Sequence, residues 1–242
     1  MAAIQTNAHR ERLSRHRKKL MMTVTTTTST EVPGDAPRDC ALCPRLRGYI
    51  EHWRQAQPDW HNAPVPTWVP PRGDNAVKIL IVGLAPGLRG ANRTGVPFTG
   101  DSAGDVMFAT LKKFGFAAGE YTNPPTSQMK LKGVAIANAV ACVPPDNKPV
   151  AAEINMCAST YLSPTIARFT RLRTIVTLGK IAHDATVRTL GGSVSAHGFG
   201  HNQRNTIGKL TIVSSYHCSR YNMNTGRLTQ PMFDAVFEGL VS

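Results

Sequence analysis

The chain has 242 residues, which suits one domain with a tail and is short for two full domains. Its 28 Lys and Arg against 15 Asp and Glu give a formal net charge of +13, which attracts polyanions such as DNA or RNA but says nothing about the fold. No run of eighteen apolar residues occurs, which excludes a membrane span. Five cysteines and no secretory signal indicate a cytoplasmic protein with a metal site or catalytic thiol rather than a disulfide scaffold.

Residues 1–37 differ in composition from the rest. Their Arg and Lys cluster around a single early acid, Glu11, and a run of Thr and Ser follows. Because this stretch has few apolar side chains to bury, we expect a disordered basic arm over 1–37 and a folded domain over 38–242. Three interpretations of the arm stay open: an electrostatic arm that holds DNA, an inert stretch upstream of a later start at Met21 or Met22, and a transit peptide.

Apolar runs and helical segments alternate through the rest of the chain. Four apolar runs predict buried strands: Val77 to Leu84, Gly133 to Ala141, Thr174 to Leu178, and Leu210 to Ser214. Five segments predict helices: Arg45 to Gln57, Ala103 to Phe114, Ala151 to Phe169, Lys180 to Thr189, and Gln230 to Leu240. Buried strands alternating with helices favour parallel pairing, so we predict an α/β fold, a three-layer α/β/α sandwich around a small, mainly parallel four-stranded sheet.

Four of the cysteines form two pairs. Cys40 and Cys43 make a C-x2-C pair, which zinc, iron–sulfur and redox sites all use. Cys142 ends a predicted strand and Cys157 lies on a predicted helix. Four thiolates from two segments can enclose structural zinc or a [4Fe–4S] cluster, and the wide second pair fits a zinc ribbon poorly, which favours the cluster. The alternative is that Cys142 and Cys157 are buried small hydrophobic residues.

A glycine-rich loop follows the first predicted strand at 83–101, at the strand end where open α/β sheets bind ligands. It matches neither a dinucleotide fingerprint nor a Walker loop. Phe98 can stack on a flat base, an interaction of about 1–3 kcal/mol, or pack in the core. Asp101 can cap the next helix or point its carboxylate into a pocket. His217 follows the last predicted strand and precedes a polar loop, as a pocket residue does.

Three motifs in this order resemble the uracil-DNA glycosylase superfamily, and within it the iron–sulfur branch called family five or type B. They are GLAPG…NRTG-x-PFTGD at 83–101, NAVACVPPDNKP at 138–149 and YH-x-SR-x-N-x-NTGRLT at 216–229. The resemblance covers roughly 38–240 and includes the cysteine spacing. It implies a [4Fe–4S] cluster and monofunctional removal of uracil from double- and single-stranded DNA, with hypoxanthine and other altered bases tolerated. We also expect a monomer in the cytoplasm, associated with the nucleoid in a prokaryote.

The resemblance assigns roles to residues of the cavity that it implies. His217 would donate a hydrogen bond to the departing uracil, Phe98 would stack on the flipped base and Asn138 would read its pairing edge. Gly83 and Ala85 would belong to the substrate-binding loop. The cluster would be held by the four paired cysteines, Cys40, Cys43, Cys142 and Cys157.

The resemblance also points to residues that would orient the attacking water and to residues that would bind DNA. Related iron–sulfur families have an acid where this chain has Leu84, so Asp101 is the best candidate to orient water or offset sugar charge, with Asn147 as a second polar contributor. The loop pressed into the duplex would include Ser219, Arg220 and Asn222. The family usually has proline where this chain has Cys218. Two other functions remain, a non-catalytic DNA-binding iron–sulfur module and a redox protein.

Overall fold

A five-stranded sheet organises the computed structural model, which describes residues 32–122 and 129–240. In spatial order its strands are β4 (Val134–Asn138), β1 (Ile79–Gly83), β5 (Thr174–Leu178), β7 (Leu210–Ser215) and β6 (Gln203–Ile207). The first four are parallel to one another, and β6 pairs antiparallel with β7. A separate antiparallel ribbon joins β2 (Ala117–Ala118) to β3 (Lys130–Leu131).

The predicted sheet of four strands was one strand too small. All four predicted strands are present, adjacent and parallel, and the sheet is extended by β6 at its edge. The sequence of β6, QRNTI, is polar and mostly solvent-exposed, so it has no apolar run that predicts a strand. The usable signal was the tight turn at Gly208, whose φ of +58° suits a hairpin between β6 and β7.

Helices cover both faces of the sheet. They are α1 (Pro44–Ala56), α2 (Ala91–Thr94), α3 (Ser102–Lys113), α4 (Ala151–Cys157), α5 (Ser163–Arg168), α6 (Lys180–Thr189), α7 (Arg220–Asn224) and α8 (Gln230–Glu238). Single 3-10 turns lie at Asp74–Ala76 and Pro145–Asn147. The predicted helix Ala151 to Phe169 is interrupted by a π-helical segment, Ala158–Leu162. Pro164, which lacks the N–H that a regular helix would use, follows that segment. None of the described helices is long and apolar enough to cross a membrane.

Two apolar cores lie on opposite faces of the sheet. Along β1, Leu80 and Val82 pack into one core while Ile79 and Ile81 pack into the other, as the alternation of a strand requires. The first core contains side chains of α1, α4, α5 and α6, and the second contains side chains of α3 and α8. The predicted three-layer α/β/α sandwich is therefore confirmed.

The predicted basic arm lies mostly outside the described residues. Of positions 1–37 the structure describes 32–37, and this stretch is bonded to the sheet domain. The Thr67 N–H donates to Asp35 at 2.9 Å, and the Thr165 hydroxyl donates to the Gly34 carbonyl at 3.1 Å. The division of the chain at residue 37 stays a prediction.

Replacing Phe108 by alanine should test the second core. The Phe108 side chain is fully buried, and its ring lies 4.6 Å from that of Tyr121 and 5.5 Å from that of Trp68, centroid to centroid. We expect Phe108→Ala to lower the free energy of unfolding by about 3–5 kcal/mol, because it leaves a cavity that the neighbours cannot fill. Phe108→Leu should cost less. Denaturant titration measures both, and a cost for Phe108→Ala below about 1 kcal/mol would contradict this packing.

Candidate active site

The carboxyl ends of the parallel strands border a cavity of about 320 Å³. This is the sheet edge at which open α/β folds bind ligands. Nine residues singled out in the sequence line it: Leu84, Ala85, Phe98, Asp101, Asn138, Asn147, His217, Ser219 and Arg220. Gly83 and Asn222 do not line it, but both contact residues that do. The structure thus brings together the three motifs that are far apart in the chain.

Gly83 is the position on which the cavity wall is packed. It ends β1 and pairs in register with Asn138, the last residue of β4. A β-carbon at Gly83 would lie 2.5 Å from Oδ1 of Asn138 and 2.6 Å from Cζ of Phe98. Only glycine therefore lets the amide and the ring come this close to the strand.

Phe98 has a backbone conformation that is rare for a bulky residue. Its φ is +55°, in the left-handed region, although its side chain is only 8% exposed. The ring stacks on the imidazole of His217 with 5.8 Å between centroids and 26° between planes. Sequence reasoning left open whether this ring faces the cavity or the core, and in the structure it does both.

His217 lies just beyond β7 and is half-buried. Burial lowers the pKa of its imidazole, and the carboxylate of Asp101 opposes that shift by raising it. The ring is therefore neutral at pH 7, with one nitrogen able to donate a hydrogen bond. The side-chain amide of Asn222 donates to the His217 carbonyl at 2.8 Å, which fixes the main chain beneath the ring.

Asp101 combines the two roles that the sequence left open. As the residue before α3, it accepts hydrogen bonds through Oδ1 from the N–H groups of Ala103 at 3.0 Å and Gly104 at 3.3 Å. Its second oxygen lies against the glycine-rich loop, since a β-carbon at Gly90 would be 2.7 Å from Oδ2. The carboxylate is thus held by the helix N-terminus while it lines the cavity.

The polar residues on the other side of the cavity lie in two short turns. Asn147 ends the 3-10 turn and has a φ of +56°, next to Asp146 at +54°, a conformation that Asn and Asp tolerate better than other side chains. Ser219 caps α7 by accepting a hydrogen bond from the Asn222 N–H at 3.4 Å. Arg220 is exposed at the rim.

Cys218 takes the place of the proline that the family usually has after the motif histidine. Its side chain is fully buried, and its thiol donates to the Ala103 carbonyl at 3.5 Å. Burial raises the pKa of this thiol to about 12, so the thiolate that a nucleophile needs is not available at neutral pH. Cys218 therefore links the motif to the start of α3 instead of acting on a substrate.

One supporting residue was missed by the sequence reasoning. His201 stacks on the ring of Tyr216 with 5.2 Å between centroids, and its Nδ1 accepts a hydrogen bond from the Tyr216 N–H at 3.3 Å. It therefore holds the residue just before His217. His201 lies in the loop leading into β6, the strand that the sequence did not reveal, so no pattern pointed to it.

The four paired cysteines line one small cavity beside α1. The Ala141 N–H donates to the sulfur of Cys157 at 3.3 Å, and the Tyr161 hydroxyl lies 3.2 Å from the sulfur of Cys40. Burial raises the pKa of Cys157 to about 11 and also raises that of Cys142. Within residues 32–122 and 129–240, no three His, Cys, Asp or Glu side chains are arranged as ligands of one metal ion.

Residues 70–241 match the family model described as the uracil DNA glycosylase superfamily. The chain belongs to this superfamily. It is similar to the Type-5 uracil-DNA glycosylase of Thermus thermophilus, with 38% identity over 201 residues that cover 80% of this chain and 89% of the relative. The proteins of that name from Pyrobaculum aerophilum and Mycobacterium bovis are each 35% identical, over 79% and 82% of this chain and 83% and 75% of the relatives. The family predicted from the three motifs is confirmed.

Replacing Gly83 by alanine should disturb the wall of the cavity in this member of the superfamily. The added methyl group would overlap Asn138 and Phe98, so we expect the free energy of unfolding to fall by about 1–3 kcal/mol and the NMR signals of the stacked His217 ring to shift. Gly48→Ala is the matched control, because nothing lies within 4 Å of its new β-carbon and the site is within helix α1. Equal effects of the two substitutions would show that the cavity wall is not packed on Gly83.

The lowered pKa of His217 should make stability depend on pH. The unfolded chain binds a proton at its ordinary pKa of about 6.5, whereas the folded chain binds it only at lower pH. The free energy of unfolding should therefore fall as pH drops from about 6.5 through the folded pKa, and His217→Asn should remove this part of the slope. Denaturant titrations of both proteins between about pH 5 and 8 measure the difference. If the free energy of unfolding has the same pH dependence in both proteins, the pKa of His217 is not lowered by folding.

Proposed function

We propose that this chain is a monofunctional uracil-DNA glycosylase, which hydrolyses the bond between uracil and deoxyribose and leaves an abasic site in DNA. One observation carries the proposal: in a member of this superfamily, Phe98, Asn138, Asp101 and His217 line one cavity at the carboxyl edge of the sheet. The relatives named Type-5 uracil-DNA glycosylase support the choice of uracil. We extend the substrates to hypoxanthine and other altered bases.

The cavity suits a base that has left the double helix. A base inside the stack is out of reach of any side chain that must act on its glycosidic bond, so the nucleotide has to be flipped out. We assign Phe98 to stacking on the flipped ring and Asn138 to its pairing edge, because a carboxamide offers one acceptor and a pair of donors to the alternating groups of uracil. Gly83 and Ala85 leave room for the base beside the strand end.

Bond breaking leaves negative charge on the base and positive charge on the sugar. We assign the neutral His217 to donate a hydrogen bond to a uracil carbonyl oxygen, where the electron pair of the broken bond is partly delocalised. Asp101, a fixed carboxylate in the same cavity, offsets the charge on the sugar and orients the water. The water oxygen bonds to C1′ of the sugar and its released proton balances the departing uracil anion. Asn147 contributes a second polar group.

DNA is held at the rim of the cavity. We assign Ser219, Arg220 and Asn222 to the loop that enters the duplex, with Arg220 as its phosphate contact. Both double- and single-stranded DNA are proposed substrates, since a single strand needs no unpairing. We further propose a monomer that works in the cytoplasm, on the nucleoid of a prokaryotic cell, and a division into an arm over 1–37 and a glycosylase domain over 38–242.

We also propose that Cys40, Cys43, Cys142 and Cys157 hold a [4Fe–4S] cluster. A single zinc ion binds each sulfur at about 2.3 Å and so draws its ligands to one point, whereas each thiolate of a four-iron cluster binds a different iron. The four thiols border one cavity and the Ala141 N–H donates to Cys157, and the wide spacing of Cys142 and Cys157 fits a zinc ribbon poorly, which favours the cluster. Its contribution would be structural, a cross-link between the start of α1 and the segments that follow β4.

An oligonucleotide duplex with one U·G pair tests the activity. Wild-type protein should release uracil, which is detected as strand scission after alkaline treatment. His217→Ala and Asp101→Ala should each lower the single-turnover rate by about 100-fold or more, because each removes a group assigned to stabilise the charges of the breaking bond. His52→Ala and Asp59→Ala, exposed positions outside the cavity, are the matched controls. Near-normal rates in both cavity variants would mean that the site is wrong.

Cysteine substitution tests the cluster. Protein prepared without oxygen should contain about four iron and four sulfide per chain. Cys157→Ser should lower the iron content and the free energy of unfolding together, because a ligand is lost from the cross-link. Cys218→Ser is the matched control, since this buried thiol does not line the cysteine cavity, and it should retain its iron. If metal analysis finds zinc instead of iron in the wild-type protein, the proposed [4Fe–4S] cluster is wrong.

A further inference from the structure

A second cavity, about twice the volume of the active-site cavity, lies at the opposite edge of the sheet. It measures about 670 Å³ and is lined by residues at the amino ends of the parallel strands, including Ile79 and Thr174, the first residues of β1 and β5. Strands of five or six residues at about 3.3 Å per residue place it about 17–20 Å from the active-site edge. The proposed excision chemistry makes no use of it.

All the charged residues that line this cavity are positively charged. We call it the basic cavity, after the five cations that line it: Lys78, Lys132, Arg171, Arg173 and Arg204. No Asp or Glu is among the described residues of the lining. None of the five forms an ion pair within the part of the chain that the structure describes, and of them only Arg204 has a side-chain hydrogen bond there, to the Gly239 carbonyl at 3.3 Å.

Of the carboxylates close in sequence to the lining, Asp234 and Asp74 are bound to other cations, whereas Glu238, one residue before Gly239, is exposed and forms no ion pair within the described residues. Asp234 accepts from Lys113 at 2.6 Å, and Asp74 lies 3.5 Å from the guanidinium of Arg168. Five like charges around one concavity repel each other, and all five residues are exposed, so an anion in solution can reach them. An anion with several charges would relieve this repulsion.

Two aromatic rings line the same cavity. Phe114 is the first residue after α3 and Phe116 lies two residues further on, and both side chains are partly exposed. The Nζ of Lys113 lies 5.3 Å from the centroid of the Phe114 ring. Rings interleaved with Lys and Arg are the pattern by which proteins hold single-stranded nucleic acid, with bases on the rings and phosphates on the cations. A double helix would present its phosphates but would keep its bases stacked away from the rings.

We propose that the basic cavity is a second DNA-binding site, which takes uracil-free single-stranded DNA while the active-site cavity is engaged elsewhere. The choice of DNA rests on the proposed function, whereas the preference for a polyanion rests on the five cations alone. Such a site keeps the enzyme on the nucleic acid between excision events, through contacts that salt weakens. It is built at the edge of the sheet where no catalytic group lies.

Binding of a fluorescent oligothymidylate tests the site by anisotropy at low salt. Arg171→Gln/Arg173→Gln should weaken binding by about fivefold or more and flatten the log–log salt dependence by about 1.4, since each phosphate contact on a single strand contributes about 0.7. Arg72→Gln/Arg188→Gln, which removes two exposed cations from outside both cavities, is the matched control. Equal weakening by the two double variants would overturn the proposal.

A third variant separates base stacking from charge. Phe114→Leu keeps all five cations, so it should weaken binding of the oligothymidylate by about fivefold while leaving binding of inorganic tripolyphosphate unchanged. Unchanged affinity for the oligothymidylate, or tighter binding of a uracil-free duplex or of a polyglutamate peptide than of the single strand, would overturn the assignment to single-stranded DNA.

Failure of this proposal can be distinguished from failure of the proposed function. Uracil release from the U·G duplex by Arg171→Gln/Arg173→Gln should stay within about twofold of wild type in single-turnover experiments, because neither residue touches the active-site cavity. Absence of release by the wild-type protein would remove the glycosylase function and leave the binding results to stand on their own. A loss of release in this variant as large as in His217→Ala would overturn the separation of the two sites.

Discussion

Parallel pairing of β1, β4, β5 and β7 is the constraint on which the rest of the molecule depends. It sends the carboxyl end of every one of these strands to the same edge, so that Gly83 and Asn138 meet in register and His217 follows two residues after Ser215. The three motifs at 83–101, 138–149 and 216–229 thereby meet around one cavity. The missing side chain of Gly83 then sets how closely the amide of Asn138 and the ring of Phe98 can approach.

The same arrangement separates the charges of the protein. The carboxyl edge has a neutral imidazole, two carboxamides, one carboxylate held by a helix N-terminus and, at the rim, the exposed cation Arg220. The amino edge collects five cations around a larger cavity. Because a flipped base with a breaking glycosidic bond needs directed donors and one balancing charge, dense positive charge is more useful away from the chemistry than beside it. In the part of the chain that the structure describes, the cavity at the amino edge thus has more cations than the cavity at the carboxyl edge.

Much of the fold and of the cavity could be predicted from the sequence, for identifiable physical reasons. The four parallel strands are mostly buried, so each contains a short apolar run, whereas β6 is an exposed edge strand whose side chains leave no such pattern. Cavity residues on strand ends, such as Asn138, could be placed because parallel strands share an edge. Contacts between loop residues could not be predicted from the sequence. The Asn222 amide donates a hydrogen bond to the His217 carbonyl, and the Tyr216 N–H donates one to His201, and neither pair follows from spacing along the chain.

The π-helical segment Ala158–Leu162 determines how many residues can connect α4 to α5. In a regular helix each residue advances the rotation by about 100°, and the wider π turn absorbs one residue beyond that count. Cys157, before the turn, faces the cysteine cavity, while Thr165, beyond it, bonds the carbonyl of Gly34. Deleting a single residue from Ala158–Leu162 would therefore turn the segment into a regular helix, while Cys157 and Thr165 would keep the faces that they have now. A chain that is one residue shorter here is thus compatible with the same cysteine cavity and the same hydrogen bond to Gly34.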